Sequence, residues 1–266
     1  MEPDRTLVHE FTHQAGAFAQ AAVFRGADTL DALLDRLPTH PNETWCDVAC
    51  GPGIVACALA RRVRQVIGID RTPAMLTAAA AEADRQGVRN VRWLAGDAQS
   101  LPLAPTSCDG IVSRFALHHL PDPAAAVAEM ARVVCGGGTV AVADHCTAEQ
   151  PEAAAWHQQI ERWRDPSHQA CLTPAGLRSL GVATGLEPVA GDERLFELDY
   201  EEWLTRGSGG PSRREAISAL FAAPPPGADR VFARIGDRLR ARLTIVVWRR
   251  PATEATTPES SKEERP

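Results

Sequence analysis

Two short blocks of the sequence bring together side chains that can exchange protons. His118 and His119 lie side by side in "ALHHLPDP", and Asp144 with His145 lies in "VADHC". Imidazole titrates near neutral pH, and a histidine held by a carboxylate is a suitable general base. We therefore take His119, His118 and Asp144 as candidate catalytic residues, with His119 first. A structural role at a helix end is the alternative for at least one of the two histidines.

A glycine pair and two aspartates have the types and spacing of a ligand-binding loop. Gly51 and Gly53 in "DVACGPG" permit positive φ angles and the close approach of a ribose or phosphate. Asp70 ends the apolar run "VIGID", where its carboxylate can accept hydrogen bonds from both hydroxyls of a ribose. Asp97 in "LAGDAQSLPL" ends the next run in the same way. A tight turn without a ligand is the alternative for the glycine pair.

Short apolar runs alternate with helical stretches along the chain, and the blocks above lie where the runs end. Parallel strands need crossover connections, which are usually helices. The alternation therefore predicts a doubly wound, mostly parallel seven-stranded α/β sheet with helices on both faces. The predicted strands are 44–49, 65–70, 91–96, 108–113, 138–144, 194–199 and 242–250, and the helices between the early strands are 54–63, 73–86 and 123–134.

Three other segments complete the predicted organisation. Residues 5–36 carry apolar side chains at helical spacing, interrupted only by two glycines. The helical run that begins after residue 145 predicts an insertion following the fifth strand. Residues 251–266 contain proline, threonine and charged residues without a core-forming side chain, so we expect a disordered tail.

Composition and charge argue against several classes of function. The 266-residue chain has a net charge of −6 and no dense basic cluster, so nucleic acid is not an expected partner. Its seven cysteines include no CxxC pair, which argues against a disulfide framework and a zinc site, and no metal is expected. The N-terminus does not resemble a signal peptide, and no apolar run is long enough to span a membrane. We expect a cytoplasmic protein that is a monomer or a homodimer.

Four blocks together resemble one enzyme family. "DVACGPG", Asp70, "GDAQSLPL" and "CDGIVSRFALHHLPDP" are similar in order and spacing to the class I S-adenosylmethionine-dependent methyltransferases, specifically the small-molecule branch of the ubiquinone and menaquinone biosynthesis methyltransferases. The resemblance covers about residues 10–146. It implies a Rossmann-like methyltransferase fold, S-adenosyl-L-methionine as cofactor, and methyl transfer by in-line displacement to a small acceptor, which we expect to be an apolar or aromatic metabolite.

The resemblance also implies roles for particular residues. Those expected at the methionine part of the cofactor are Asp47, Ala49, Gly51 and Gly53, where Ala49 replaces a glycine that many relatives have. Asp70 is expected at the ribose hydroxyls, with Arg71 also at the cofactor. Met75 is expected at the adenine face, Asp97 and Ala98 at the adenine edge, and Ser113 beside the sulfonium.

The acceptor side is expected to come from outside the cofactor motifs. Residues 1–40 resemble the family's helical lid, and Phe11, Phe18 and Phe24 are its candidate pocket residues. Residues 41–250 would form the cofactor-binding domain, with acceptor-pocket insertions at about 147–190 and 200–240. Phe18, His145 and Trp163 are our candidate acceptor-binding residues.

Two other functions remain open at this point. Gly51, Gly53 and a later acidic residue partly match the dinucleotide fingerprint, so a nicotinamide-dependent oxidoreductase is one alternative. A protein that binds the cofactor for non-methylating chemistry is the other. General-base assistance also stays open, because an acceptor that is already an anion or a free amine does not require it.

Overall fold

A computed structural model of the chain describes residues 3–20 and 25–252, so Phe24 and the predicted tail beyond residue 252 lie outside the described residues. The strands are β1 (Thr44–Val48), β2 (Gln65–Asp70), β3 (Val91–Ala95), β4 (Cys108–Arg114), β5 (Val134–Cys146), β6 (Glu187–Asp199), β7 (Phe232–Ile235) and β8 (Arg238–Arg249). The α-helices are α1 (Pro3–Gln20), α2 (Ala32–Leu34), α3 (Ile54–Leu59), α4 (Pro73–Gln86), α5 (Pro123–Val133), α6 (Pro151–Arg164), α7 (Pro174–Ala183), α8 (Tyr200–Arg206) and α9 (Arg214–Ala222).

Within residues 3–20 and 25–252, all eight strands belong to one sheet, in the order β3-β2-β1-β4-β5-β8-β6, with β7 paired to β8. Strands β1 to β5 pair in parallel, and β8 runs antiparallel to both β5 and β6. The chain starts at β1 in the middle of the sheet, moves outward to β3 and then returns to β4 on the other side. This reversal confirms the predicted doubly wound α/β class and opens a crevice at the carboxyl ends of β1 and β4.

The predicted number of seven strands is wrong, because β7 adds an eighth. This four-residue strand forms a hairpin with the start of β8, and Gly236 at the turn has φ +61°. The segment "RLRARL" at 238–243 alternates polar and apolar residues, and its burial alternates in the same way. That alternation was the available signal for a strand that begins before residue 242.

One helix prediction is wrong at its end and another at an internal glycine. The helix predicted over 54–63 ends at Leu59, and the side-chain amide of Asn90 donates to the backbone oxygens of Ala60 (2.8 Å) and Val63 (3.2 Å) just beyond it. In the helical segment predicted over 5–36, the interruption expected at Gly16 is absent because α1 runs through it, whereas Gly26 does lie in a bend directly before a short π-helix at Ala27–Asp31. The strands predicted over 138–144 and 194–199 are also too short, since β5 begins at Val134 and β6 at Glu187. The helix predicted over 73–86 is confirmed, and Gly87 ends it with φ +67°.

Alternating strand residues enter two separate cores, one on each face of the sheet. Trp45, Ala141 and Ile245 pack on the face covered by α3 and α6. Their chain neighbours Cys46 and Val142 pack on the other face, against α5 and α7. Because both faces are buried, the central strands are almost continuously apolar, as a covered parallel sheet requires. Among the described residues, no helix is long and apolar enough to cross a membrane.

The contact between Gly110 and Trp45 predicts a large stability effect. A methyl group at position 110 would overlap the indole of Trp45, which is 1% exposed and donates its Nε1–H to Glu43 Oε2 at 2.7 Å. Since the ring is held in place, Gly110→Ala should lower the free energy of unfolding by about 1–3 kcal/mol or more in a denaturant titration. Gly16→Ala is the matched control, because its methyl meets nothing within 4 Å on α1 and should stabilise by about 0.5–1 kcal/mol. Equal effects of the two substitutions would contradict the packing argument.

Candidate active site

A deep cleft lies at the carboxyl ends of the first four parallel strands, and we call it the cofactor cleft. Four connections line it, one after each of the strands β1 to β4, and α1 covers it with Leu7, Phe11 and Phe18. Of the predicted cofactor residues, the cleft lining contains Asp47, Ala49, Gly51, Asp70, Arg71, Met75, Asp97 and Ala98. The strand ends therefore bring together residues that are up to 51 positions apart in the sequence.

The loop after β1 and the end of β2 hold each other through Asp70. Its Oδ2 accepts the backbone N–H of Gly51 at 2.8 Å, and its Oδ1 accepts the backbone N–H of Thr72 at 2.8 Å. Burial raises the pKa of Asp70, while these backbone hydrogen bonds act to lower it. Each carboxylate oxygen can accept more than one hydrogen bond, so the carboxylate retains capacity toward the cleft.

Ala49, Gly51 and Gly53 in the loop after β1 differ in conformation and in surroundings. Gly51 has φ +50° and no atom within 4 Å of where a Cβ would lie, so the loop leaves open space there. Gly53 has φ +77°, and a Cβ would lie 2.7 Å from the Trp93 ring, so this glycine is required by packing. Gly53 does not line the cleft. Ala49 adopts φ +53°, a left-handed conformation that costs an alanine roughly 1 kcal/mol.

Asp47 is the most unusual charged group of the cleft. It is 1% exposed, and its Oδ2 has no hydrogen-bond partner among the described residues. Burial raises the pKa of Asp47 to about 7, although the guanidinium of Arg114 acts to lower it. Burial in turn lowers the pKa of Arg114 to about 10. A buried carboxylate of this kind destabilises the fold unless a cation or a hydrogen-bond donor pairs with it.

The remaining predicted cofactor residues differ in their placement. The carboxylate of Asp97 lies 3.7 Å from the Arg71 guanidinium, and its Oδ1 accepts the backbone N–H of Gln99 at 2.9 Å. Met75 is fully buried at the start of α4 and contributes to the lining. Ser113 does not line the cleft: it is buried, and its Oγ has no partner within the described chain. Alternation along β4 gives the cleft Arg114 instead, which our sequence prediction missed.

A second cavity adjoins the cofactor cleft, and we call it the aromatic cavity. The two share Phe18, Phe115 and His119. Its walls are mainly aromatic and apolar, with contributions from α6, α8 and the strands β6 to β8, and they include Phe18, Phe115, Phe196, Trp203 and Phe232. Aromatic walls next to a few convergent polar groups are typical of small-molecule sites.

Besides histidines, three charged side chains line the aromatic cavity: Glu161, Arg164 and Arg206. The Arg164 guanidinium is paired with Glu161 at 3.0 Å and with Asp165 at 3.4 Å, and its Nη1 lacks a hydrogen-bond partner in the described ranges. Arg206 pairs with Glu202 at 3.0 Å and lies 5.1 Å from the Phe18 ring centroid. The cavity thus combines an apolar body with buried guanidinium groups.

Of the three predicted acceptor-binding residues, only two line the same cavity. Phe18 and His145 line the aromatic cavity. Trp163 lines neither cavity, because on α6 its ring faces the guanidinium of Arg213 at 5.7 Å from the ring centroid. The tryptophan of the cavity is Trp203 on α8, and helical spacing alone could not distinguish the two.

His118 and Asp144 form the carboxylate–histidine pair that the sequence suggested. His118 Nδ1 lies 2.6 Å from Asp144 Oδ1, and Asp144 also accepts the backbone N–H of His118 at 3.1 Å and that of His145 at 2.8 Å. Burial alone would lower the pKa of His118, but Asp144 raises it above the ordinary value. The same attraction lowers the pKa of Asp144 against the effect of burial. His118 is therefore the more basic of the two neighbouring histidines.

His119 lies at the junction of the two cavities and is oriented by a hydrogen-bond chain that the sequence did not reveal. Ser167 Oγ donates to Asp165 Oδ1 at 2.6 Å, so it accepts from His119 Nδ1–H at 3.0 Å. This chain leaves His119 Nε2 as the nitrogen with a lone pair. Gln14 on α1 supports it by donating to Asp165 Oδ2 at 2.8 Å. Burial and the neighbouring His118 lower the pKa of His119 to about 4, so its ring is neutral at physiological pH.

Comparison with known proteins identifies the family. A family model described as a methyltransferase domain matches residues 46–142, which include the loops after β1, β2, β3 and β4. The uncharacterized methyltransferase YcgJ of Bacillus subtilis is 31% identical over 205 residues, which are 77% of this chain and 81% of that protein. The chain belongs to the class I S-adenosylmethionine-dependent methyltransferases. The crystal structure of YcgJ has the same fold, with a TM-score of 0.78 at 25% identity over 84% of this chain and 98% of that chain.

Two further relatives of this methyltransferase are named for different acceptors. The malonyl-[acyl-carrier protein] O-methyltransferase of Serratia marcescens is 30% identical over 236 residues, 83% of this chain and 88% of that protein. The demethylmenaquinone methyltransferase of Corynebacterium kroppenstedtii is 36% identical over 128 residues, 47% of this chain and 53% of that protein.

Membership in the family decides between the functions that the sequence left open. It confirms the predicted enzyme class, the small-molecule type of methyltransferase and S-adenosyl-L-methionine as the cofactor. The nicotinamide-dependent oxidoreductase and the non-methylating cofactor binder are therefore set aside. Because the relatives differ in their named acceptors, the family alone does not select an acceptor for this enzyme.

Proposed function

We propose that this methyltransferase acts on a small acceptor with an aromatic or apolar body and an anionic group. The observation that carries the proposal is the aromatic cavity with its buried guanidinium nitrogen, Arg164 Nη1, which lacks a partner in the described chain. A carboxylate or phenolate oxygen on the acceptor would supply that partner, and charge-assisted hydrogen bonds of this kind are strong. The aromatic side chains would pack on the body of the acceptor.

We propose that different residues of the cofactor cleft bind different parts of the cofactor. Asp47 Oδ2 would pair with the ammonium group of the methionine part, and Asp70 would accept from the ribose hydroxyls in addition to its two backbone partners. The open space at Gly51 leaves room for the cofactor to approach the backbone, and Met75 offers an apolar contact to the adenine. When bound, the cofactor supplies an electrophilic methyl group on its sulfonium.

The chain's own contribution to transfer is to orient the acceptor, exclude water and accept a proton. We assign the proton acceptor to His119 Nε2, since the ring lines both cavities and is held by Ser167 and Asp165. An anionic acceptor would need no base, whereas a neutral phenol or alcohol would. His118 and Asp144 would then position the loop that carries His119, because Asp144 accepts the backbone N–H of His118.

The domain arrangement and compartment that we expected from the sequence also remain proposals. Contributions of α1 to the cofactor cleft support a lid within residues 1–40, and contributions of α6 and α8 to the aromatic cavity support acceptor-binding insertions in 147–190 and 200–240. All seven cysteines are free, which agrees with a reducing cytoplasm. Whether the enzyme is a monomer or a homodimer stays a prediction.

His119→Gln should reduce methyl transfer to a neutral phenol by at least roughly 100-fold at pH 7, because glutamine cannot accept the proton. Calorimetric titration with the cofactor should give an unchanged affinity. Ser167→Ala should have a smaller effect, since the base remains but its orientation by Asp165 is lost. His13→Gln, an exposed change on α1, is the control and should leave the rate unchanged. An undiminished rate in His119→Gln would remove the proposed role.

The acceptor class is tested by labelled methyl transfer into a panel of phenols, quinones, amines and polyketides, each with and without a carboxylate. We expect turnover to favour the aromatic compounds that carry the carboxylate, and Arg164→Gln to reduce that preference by raising KM. Equal turnover of charged and neutral members by the unaltered enzyme would contradict the anionic acceptor. Calorimetry with S-adenosyl-L-methionine on the same sample verifies that the cofactor cleft is functional.

A further inference from the structure

Five of the eight histidines of the chain gather at the aromatic cavity, although they lie on four separate segments. Three of them, His118, His145 and His168, each offer a ligand nitrogen, and these three atoms lie within 4.8 Å of one another. The ring centroids of His118 and His145 are 4.5 Å apart, and those of His118 and His168 are 5.8 Å apart. Histidines clustered in this way can serve as ligands for a transition metal.

The outer nitrogens of two of these rings already have partners. His118 Nδ1 contacts Asp144 Oδ1 at 2.6 Å, and His168 Nε2 contacts Gln158 Oε1 at 2.7 Å. Metal-bound histidines characteristically donate their other N–H to a carboxylate or carbonyl oxygen, which turns the remaining lone pair toward the metal. In both rings here, the other nitrogen remains as the candidate ligand.

An unpaired atom gives an independent indication of a ligand. His168 is 4% exposed, and its Nδ1 has no hydrogen-bond partner among the residues that the structure describes. Because Gln158 Oε1 can only accept, His168 Nε2 carries the hydrogen and Nδ1 keeps its lone pair. A buried lone pair beside two other imidazoles is costly unless a proton donor or a metal ion meets it.

We propose that His118, His145 and His168 bind one divalent transition-metal ion of the zinc type. Imidazole nitrogen suits zinc, cobalt, nickel and copper, whereas magnesium and calcium prefer oxygen ligands. In a tetrahedral zinc site the ligand nitrogens are about 3.3 Å apart, so three nitrogens that lie within 4.8 Å of one another need to close by at most about 1.5 Å. Three protein ligands leave a fourth position open, as in catalytic rather than structural zinc sites.

The open position would face the aromatic cavity, which His118 and His145 line. An anionic oxygen of the acceptor could therefore become the fourth ligand, a step that rests on the proposed function. Binding of the metal ion by the three histidines does not depend on the proposed function. The competing set is His145, His157 and Cys171, which also lie within reach of one another, and His145 Nε2 is 2.6 Å from Cys171 Sγ. We favour the three histidines because two of them, His118 and His145, line the aromatic cavity, whereas neither His157 nor Cys171 does.

The test uses the full chain, freed of metal by a chelator and titrated with Co²⁺ and then Zn²⁺. We expect one Co²⁺ to bind with the visible absorption of a tetrahedral ion and to be displaced by Zn²⁺. His145→Ala and His168→Ala should each weaken binding by at least about 100-fold, while His40→Ala, an exposed histidine elsewhere, and Cys171→Ser should not. Failure of the unaltered chain to bind either ion would overturn the site, as would a thiolate-to-cobalt band that Cys171→Ser abolishes.

A second measurement tests the open position. Acetohydroxamate added to the Co²⁺-loaded protein should change the visible spectrum, and an unchanged spectrum would contradict access from the aromatic cavity. Calorimetry with S-adenosyl-L-methionine on the metal-free protein reports on the cofactor cleft alone. Normal cofactor binding without metal binding would therefore reject the metal site and leave the proposed methyl transfer standing.

Discussion

Asp70→Asn is expected to weaken the binding of S-adenosyl-L-methionine by roughly 100-fold or more. The carboxylate would exchange two charge-assisted hydrogen bonds with the ribose hydroxyls, and hydrogen bonds to a charged group contribute about 1.5–3 kcal/mol each. The amide of asparagine is neutral and presents one oxygen instead of two. It also removes an acceptor from either Gly51 N–H or Thr72 N–H, which loosens the loop that the cofactor approaches. Calorimetric titration of the purified variant measures the affinity.

The control for this substitution must lose the same kind of backbone hydrogen bond. Asp109 is suitable, because its Oδ2 accepts the backbone N–H of Thr44 at 2.8 Å near the opposite end of the parallel strands. Asp109→Asn should lower stability to a similar extent and leave cofactor affinity within about 2-fold of the original. A comparable affinity loss in both variants would show that Asp70 acts only through stability, and an Asp70→Asn protein with unchanged affinity would remove it from the cofactor site.

The parts of the fold that follow from local pattern are predictable. The strands β1, β2 and β4 are short, largely apolar runs, because both faces of the sheet are covered there, and α4 begins at Pro73 and ends before Gly87. The antiparallel edge is harder to predict. β7 has only four residues. At the start of β8, apolar residues alternate with Arg238, Arg240 and Arg242, and three arginines in so short a segment suggest an exposed loop as readily as a strand.

The candidate site also has a part that local sequence pattern predicts and a part that it does not. Asp47 lies near the end of the first predicted strand, Asp70 ends the second and Asp97 follows the third, so strand prediction alone places them at one edge of the sheet. The chain from Gln14 through Asp165 and Ser167 to His119 could not be predicted, because Gln14 and Asp165 are 151 positions apart and meet only in the folded molecule. The histidine cluster was missed for the same reason. Metal-ligand motifs in sequence rely on short spacing, whereas His118, His145 and His168 are at least 23 positions apart.

Asp47 illustrates how a cofactor site can lower the stability of the protein that carries it. Burial raises the pKa of this carboxyl from 3.8 to about 7, because the ionised form has lost its water and Arg114 compensates only in part. A raised pKa means that the folded protein holds the proton more tightly than the unfolded chain. The associated stability is fully present below pH 4 and is lost as the pH rises through 7. A shift of about 3 pKa units corresponds to roughly 4 kcal/mol, which is an upper bound for the loss at pH 8.

Asp47→Asn should therefore raise the free energy of unfolding of the cofactor-free protein at pH 8 by about 2–4 kcal/mol and change it little at pH 4. The same substitution should weaken cofactor binding, since a neutral amide cannot pair with the ammonium group. Between pH 5.5 and 7, below the range in which an α-amino group loses its proton, affinity should rise with pH in the original enzyme and stay level in the variant. Denaturant titrations and calorimetry at matched pH values measure both effects. The gain in stability and the loss of affinity have one cause, because the cation that offsets the buried charge of Asp47 is the ammonium group of the cofactor. A variant that gained stability without losing affinity would show that Asp47 does not face the ammonium group.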